Sequence, residues 1–344
     1  MSQSREPAIA DRGCRATLGA LVLACALTGA FTMPSYAADI DQTDGVIADN
    51  RPRIFGIPIG GAKFPERYVP PLTNPLFNES PFIVSEAHFV YLYNAIPDSF
   101  PDPALGGGGG NIQAIAGAGR FKLTDRLALI ATKDGYAFAN FDSPLLPDES
   151  GFLNIAGGVK YAFYDNKETG SILTGGLRVE IVAQELSTLG DVVEFQGAGA
   201  GFINPFVTGA TTLHGLGLFD NVQLQGSVGA NIAFDQDAET SFLHFSLHAN
   251  YELFDNFYPL VEVNGFVPFA HGNRFTTAPL SGLDGVDLAN FGSSDRDTTI
   301  TVGGGFRYRF SDNAIMGIGA ETAVTDTRNS ILDWRITADL ALNF

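Results

Sequence analysis

The chain has 344 residues, 45% hydrophobic and only 17% charged, with 40 Gly and a formal net charge of -18. That is enough for one large all-β domain or two modest ones, and so acidic a chain lacks the basic footprint that a nucleic-acid partner requires. Mean hydropathy is borderline at +0.10, and no stretch past the N-terminus approaches the roughly 20 apolar residues of a spanning helix.

Residues 1–37 read as a secretory signal peptide. Arg5, Arg12 and Arg15 form the basic end, Ala16 to Phe31 the apolar core, and Ser35-Tyr36-Ala37 the small-x-small cleavage site. A competing reading, Val22-Leu23-Ala24-Cys25 as a lipoprotein box, suffers from a bulky Leu23 and an apolar run that continues to Phe31. Both cysteines, Cys14 and Cys25, lie in this segment. The mature chain then has no disulfide framework, no cysteine metal site and no cysteine nucleophile.

Residues 38–81 show no clean periodicity and carry Pro52, Pro58, Pro65, Pro70, Pro71 and Pro75. Such proline density opposes helix and central strand. The segment reads as an irregular periplasmic lead-in, with a plug in the barrel mouth as the alternative.

From residue 82 to 344 one device repeats. Alternating apolar runs meet at short turns: Thr124-Asp125-Arg126, Tyr164-Asp165-Asn166-Lys167, Phe219-Asp220-Asn221, Phe254-Asp255-Asn256 and Ser311-Asp312-Asn313. Asp and Asn favour tight turns because their side chains bond nearby amides and tolerate left-handed backbone. The pattern predicts strands over 83–94, 112–123, 127–139, 152–164, 170–184, 204–218, 222–234, 241–253, 257–268, 297–310, 314–325 and 331–344. The opposite connections include the long stretches 95–111, 140–151, 185–203 and 269–296, rich in Gly, Pro and Asp, with Gly106–Gly110 read as a flexible run.

The last strand carries the plainest signal. Leu332, Trp334, Ile336, Ala338, Leu340, Leu342 and Phe344 alternate with Asp333, Arg335, Thr337, Asp339, Ala341 and Asn343. Phe163, Phe219, Phe254 and Phe310 stand at or before four of the turns, as an interfacial girdle would require. The whole resembles the Gram-negative outer-membrane β-barrel superfamily, porins and transporters among them. That resemblance implies an all-β, up-and-down antiparallel barrel of about twelve strands, within a range of ten to fourteen. It also implies Phe344 as an assembly signal, the outer membrane as location, and membrane lipid, lipopolysaccharide and the barrel assembly machinery as partners. A soluble periplasmic β-protein is the alternative fold.

If the apolar faces meet lipid, the other parity lines the lumen. It holds Arg120, Lys122, Lys160, Arg178, Arg307, Arg309 and Arg335 with Glu180, Glu252, Glu262, Glu321, Asp333 and Asp339, and the row His244, Ser246, His248. Strands 83–94, 127–139 and 204–218 have ambiguous parity. The charges either pair across strands as a polar core, or segregate and set a transverse field that orients solutes. A passive channel for small solutes is the expected function, with 38–81 and loops 95–111 and 269–296 as constrictions. A non-conducting structural or surface barrel is the alternative.

The His244-Ser246-His248 row has the residue types of a hydrolase, but neighbours two apart on a strand lie about 7 Å from each other. No catalytic site, cofactor or metal centre is assigned. Asp235-x-Asp237-x-Glu239 reads as a solvated acidic tip, since it lacks the spacing of a calcium loop. No phosphate-cradling loop opens a helix.

Overall fold

The structure, a computed structural model, describes residues 53–54, 57–58, 64–65, 69–100, 108–144, 146–188, 193–196, 198–215, 221–274, 288–292, 298–325 and 331–343. The expected signal peptide, most of the lead-in before Phe64, and Phe344 lie outside these residues. Among those described there is no helix, and twelve long strands form one sheet. They are β1 (Glu86–Ile96), β2 (Gly110–Lys122), β3 (Leu127–Phe141), β4 (Ile155–Asn166), β5 (Ser171–Ile181), β6 (Phe202–Leu213), β7 (Val222–Ala233), β8 (Ser241–Asn250), β9 (Phe257–Ala270), β10 (Thr299–Ser311), β11 (Ala314–Ala323) and β12 (Trp334–Asn343).

Each strand pairs antiparallel with its chain neighbours, and β12 pairs with β1 from Asn343↔Glu86 to Trp334↔Ala95. The sheet therefore closes into a barrel with no free edge, so every ladder amide finds a partner without water. The strands follow the predicted ones, with the largest discrepancy at the end of β6, Leu213 in place of 218.

Side chains are distributed inside out. Along β8, His244, Ser246, His248 and Asn250 are buried while Leu243 and Leu247 are exposed. Along β12, Arg335, Thr337 and Asp339 are buried while Trp334 and Ile336 are exposed. Such a face is stable only against hydrocarbon. Phe163, Phe254 and Phe310 ring the short-turn end, and Trp334 stacks on Tyr93 near the other end with ring centres 5.3 Å apart.

The short turns form as the residue types require. Asn221 and Asn256 adopt left-handed backbone (φ 66° and 64°), Thr124 Oγ1 accepts the amides of Arg126 and Leu127, and Asn166 Oδ1 accepts those of Glu168 and Thr169. Both ends of the barrel sequence lie on this side, and the longer connections lie on the other.

The described parts of those longer connections pack together. Phe100, Phe141, Phe195 and Phe291 stack at 5.4–5.7 Å and bury Leu186, Leu288 and Ile331 with them. Asn290 clasps the backbone of Thr240 with both ends of its amide. The expectation of a flexible Gly run is corrected for its described part. Gly108 to Gly110 all have positive φ, and a Cβ on Gly108 or Gly110 would come within 2.2 Å of a carbonyl on the neighbouring strand region. Glycine is needed there for close packing. Likewise Glu239 is fully buried, while Asp235 and Asp237 stay exposed, so the acidic tip is only partly solvated.

The outward face yields a direct test. Val261, near the middle of β9, is 62% exposed. Val261→Arg should lower folding stability in lipid vesicles by about 2–4 kcal/mol, measured by denaturant titration. An unchanged midpoint would mean that this face does not meet hydrocarbon.

Candidate functional site: a lumen filled by its own chain

The barrel interior is occupied by residues 64–65 and 69–85. The segment starts near the short-turn end, where Arg309 donates to the Pro65 carbonyl. It climbs past Arg307, which donates to Pro71 O, and reaches Phe77 among Phe242, His244 and Phe266. It then descends to Ser85, whose hydroxyl accepts the Lys122 amide. The described part contains no helix or strand. Its prolines leave carbonyls with no ladder to join, and barrel side chains take them. Gln225 donates to Val69 O, Arg178 to Leu76 O, Ser227 to Phe77 O, Thr208 to Glu79 O, Lys160 to Ser80 O and Thr174 to Pro81 O. The described residues 64–65 and 69–85, which include the end of the expected lead-in, thus lie inside the barrel.

Two anchors stand out by charge. On one wall Glu79 receives a two-pronged Arg120 fork (Nε to Oε1 2.7 Å, Nη2 to Oε2 2.9 Å) and Lys160 Nζ at 2.8 Å, with Arg178 Nη2 3.6 Å away. Arg120 also donates to Glu86 Oε1 at 3.0 Å. All five side chains are buried. On the other wall Glu262 accepts the amides of Leu72 (2.8 Å) and Thr73 (2.6 Å), the Thr73 hydroxyl, and His248 Nδ1 at 2.6 Å. One wall thus grips a carboxylate of the segment, the other its N–H donors.

The lumen charges divide accordingly. Arg120, Lys160, Arg178 and Lys133 come from β2 to β5, with Glu86 and Glu180 beside them. Glu262, Glu321 and Asp339 come from β9, β11 and β12, with Arg307 bonded to Asp339 and Arg335 to Glu321. The two strand groups face each other across a ring of twelve. Pairing and segregation both occur.

Of the residues expected to line the lumen, Arg120, Lys160, Arg178, Glu180, His244, His248, Glu262, Arg307, Glu321, Arg335 and Asp339 are buried inside the barrel. Lys122 and Arg309 are half-buried near the short-turn end, and Lys122 pairs with Asp125. Glu252 and Asp333 are corrected to exposed positions beyond their strands, where Glu252 accepts the Asn256 amide of a turn. Interior polar residues on strands of unreadable parity went unassigned, among them Glu86, His88, Asn94, Thr132, Lys133, Asn204 and Thr208. In β3 the cause is a bulge between Ala131 and Lys133. Thr132 and Lys133 are both buried there, so the inward parity switches mid-strand. In β1 and β6 the inward face mixes Val90, Leu92, Phe202 and Phe206 with polar residues. Glu79, the centre of the basic cluster, gave no signal because its segment has no period.

The histidine row does not assemble. Ser246 Oγ accepts from Asn74, His244 bonds Asn204, and His248 bonds Glu262 and Asn250. Among the described residues neither histidine bonds Ser246, and no group of three or more metal-ligating side chains forms.

Burial alone would push the Glu79 carboxyl up, but Arg120, Lys160 and Arg178 hold it well below the usual carboxylate range. Glu79 lies on the inner segment, not on a spanning strand. Its stabilising effect is complete above the ordinary value of 4.5 and is lost only as pH falls through the depressed one. Amide exchange of the segment should therefore hold constant from neutral pH down to about 4.5, after correction for intrinsic rates. Glu262→Gln removes charge-assisted bonds and should speed exchange at Leu72 and Thr73 by about tenfold or more. Equal protection in both chains would place the segment elsewhere.

No protein-family model and no curated protein sequence matches the chain. Solved structures do. An outer-membrane channel from Pseudomonas putida F1 aligns with a TM-score of 0.51 at 11% identity, over 78% of this chain and 98% of that one. The NanC porin aligns at 0.44 and 6% identity, over 76% and 100%. The β-domain of the Bordetella autotransporter BrkA aligns at 0.45 and 12% identity, also over 76% and 100%. At such identities the likeness is one of fold. What the chain shares with them is the fold, a closed antiparallel β-barrel, here of twelve strands with an apolar exterior and a polar interior.

Proposed function

We propose that the protein is a passive channel for small solutes, closed at rest by residues 64–85. The observation that supports this most is how the segment is held. Side chains grip its carbonyls, two amides and one carboxylate, and none of its described residues joins the barrel ladder. It can leave without breaking an inter-strand hydrogen bond. The lining it would expose is polar, with opposed basic and acidic walls that orient a dipolar or charged solute. Passage would also need the aromatic cluster around Phe195 and Phe291 to part at the long-loop end. The reading involves no catalytic step.

A second reading is a non-conducting structural barrel. It is favoured by the pairs Arg307–Asp339 and Arg335–Glu321, in which barrel side chains of nearby strands satisfy one another's charge.

A reversible tether separates the two. Asn74 Nδ2 and Ser246 Oγ are 3.3 Å apart, so Asn74→Cys with Ser246→Cys should form a disulfide that pins the segment to β8. In planar bilayers the reduced double variant should show discrete conductance steps that oxidation abolishes and reductant restores. Silence in both states from folded protein would reject the channel and favour the structural barrel.

A further inference from the structure

The cluster around Glu79 has the make-up of a ligand site more than that of a tether. Its donors come from three strands of the barrel wall, β2, β4 and β5, while the carboxylate comes from the removable segment. A guanidinium fork with a third ammonium donor matches the two oxygens of any carboxylate, not of glutamate alone. Without Glu79 the buried Arg120, Lys160 and Arg178 lose the carboxylate that they share, while Glu86, bonded to Arg120, is also bonded to His88. Buried cations that lose a shared carboxylate call for another anion. Arg178 and Lys160 also reach the carbonyls of Leu76 and Ser80, so the site offers donors beside the carboxylate position. A cleft lined by Pro70, Asn78, Ser80, His88, Ala118 and Arg120 runs alongside, and the buried Asn78 side chain has no hydrogen-bond partner for either end of its amide. It is a small polar cavity beside Arg120.

We infer that Arg120, Lys160 and Arg178 form a carboxylate-binding site in the lumen, that Glu79 fills it as a built-in stand-in, and that the solutes are small carboxylates with a neighbouring oxygen acceptor. A solute that competes for the cluster removes the segment's strongest anchor and so favours opening. The solute class rests on the channel reading; the binding site does not.

Chemical rescue tests the site on the full chain. Glu79→Ala leaves the cluster without its anion, and acetate is the probe, with neutral acetamide as its isostere. Acetate should raise the thermal midpoint of folded Glu79→Ala at concentrations at least tenfold below those that affect the wild type, and acetamide should not. If the variant does not fold alone, refolding yield is read instead, and acetate should restore it while acetamide does not. Equal responses to the two additives, equal responses of variant and wild type, or no recovery in either additive would overturn the site. The solute class is read separately, from wild-type conductance. Lactate should raise opening frequency at least fivefold over the same concentration of glycerol, and no difference would overturn it. Rescue by acetate together with silence of the reduced cysteine pair would retire the channel and leave the site standing.

Discussion

The pairing of the last strand with the first is the constraint on which everything else depends. Ten residues of β12 lie in register against β1, and this one seam turns a sheet with two unsatisfied edges into a wall with none. In hydrocarbon an open edge costs several kcal/mol for every unpaired amide or carbonyl. The seam also fixes parity. With Arg335 opposite Asn94 and Asp339 opposite Val90, the polar rows of both strands must point inward and Trp334, Ile336 and Tyr91 outward.

Closure creates a second problem, which the inner segment solves. A wall of polar side chains turned inward needs partners, and removing one member of a buried ion pair costs about 3–5 kcal/mol. Cross-strand pairs meet part of the need, as Arg307 with Asp339 and Arg335 with Glu321 do. The basic cluster of β2, β4 and β5 has fewer acids of its own and takes Glu79 from the segment. The acidic Glu262 in turn takes the segment's amides. The same field that would orient a solute orients the plug, and for this reason plug and solute compete for one set of groups.

The architecture was legible because it follows from period and punctuation. Strand alternation reads directly in β8 and β12, and the Asn and Asp turns place the strand ends within a few residues. Lumen residues were legible wherever parity was clean, as for Arg178, Glu262 and Arg307. They were lost where a bulge reverses parity, as at Lys133, or where inward positions are apolar, as in β1, which hid Glu86 and His88. The inner segment was legible only as an alternative, a plug in the barrel mouth, with nothing to say which residues would hold it. Its residues have no period, and the groups that hold Pro65, Leu72 and Glu79 lie on strands far along the chain. Proline content could say what the segment would not become, not where it would go. The aromatic cap was hidden for the same reason, since Phe100, Phe195 and Phe291 meet only after the barrel has closed.

Occupation of the barrel lumen by residues 64–65 and 69–85 is tested most directly by nuclear Overhauser contacts from the Phe77 ring in detergent-solubilised protein with labelled aromatic side chains. The rings of Phe242 and Phe266 lie 5.5 Å and 5.9 Å from it, centre to centre, and His244 lies 4.7 Å away. Cross-peaks from Phe77 to all three, on strands β8 and β9, are the predicted result. Assigned and resolved Phe77 signals with contacts only to detergent or water would contradict it, and would leave the barrel without the plug on which this account turns.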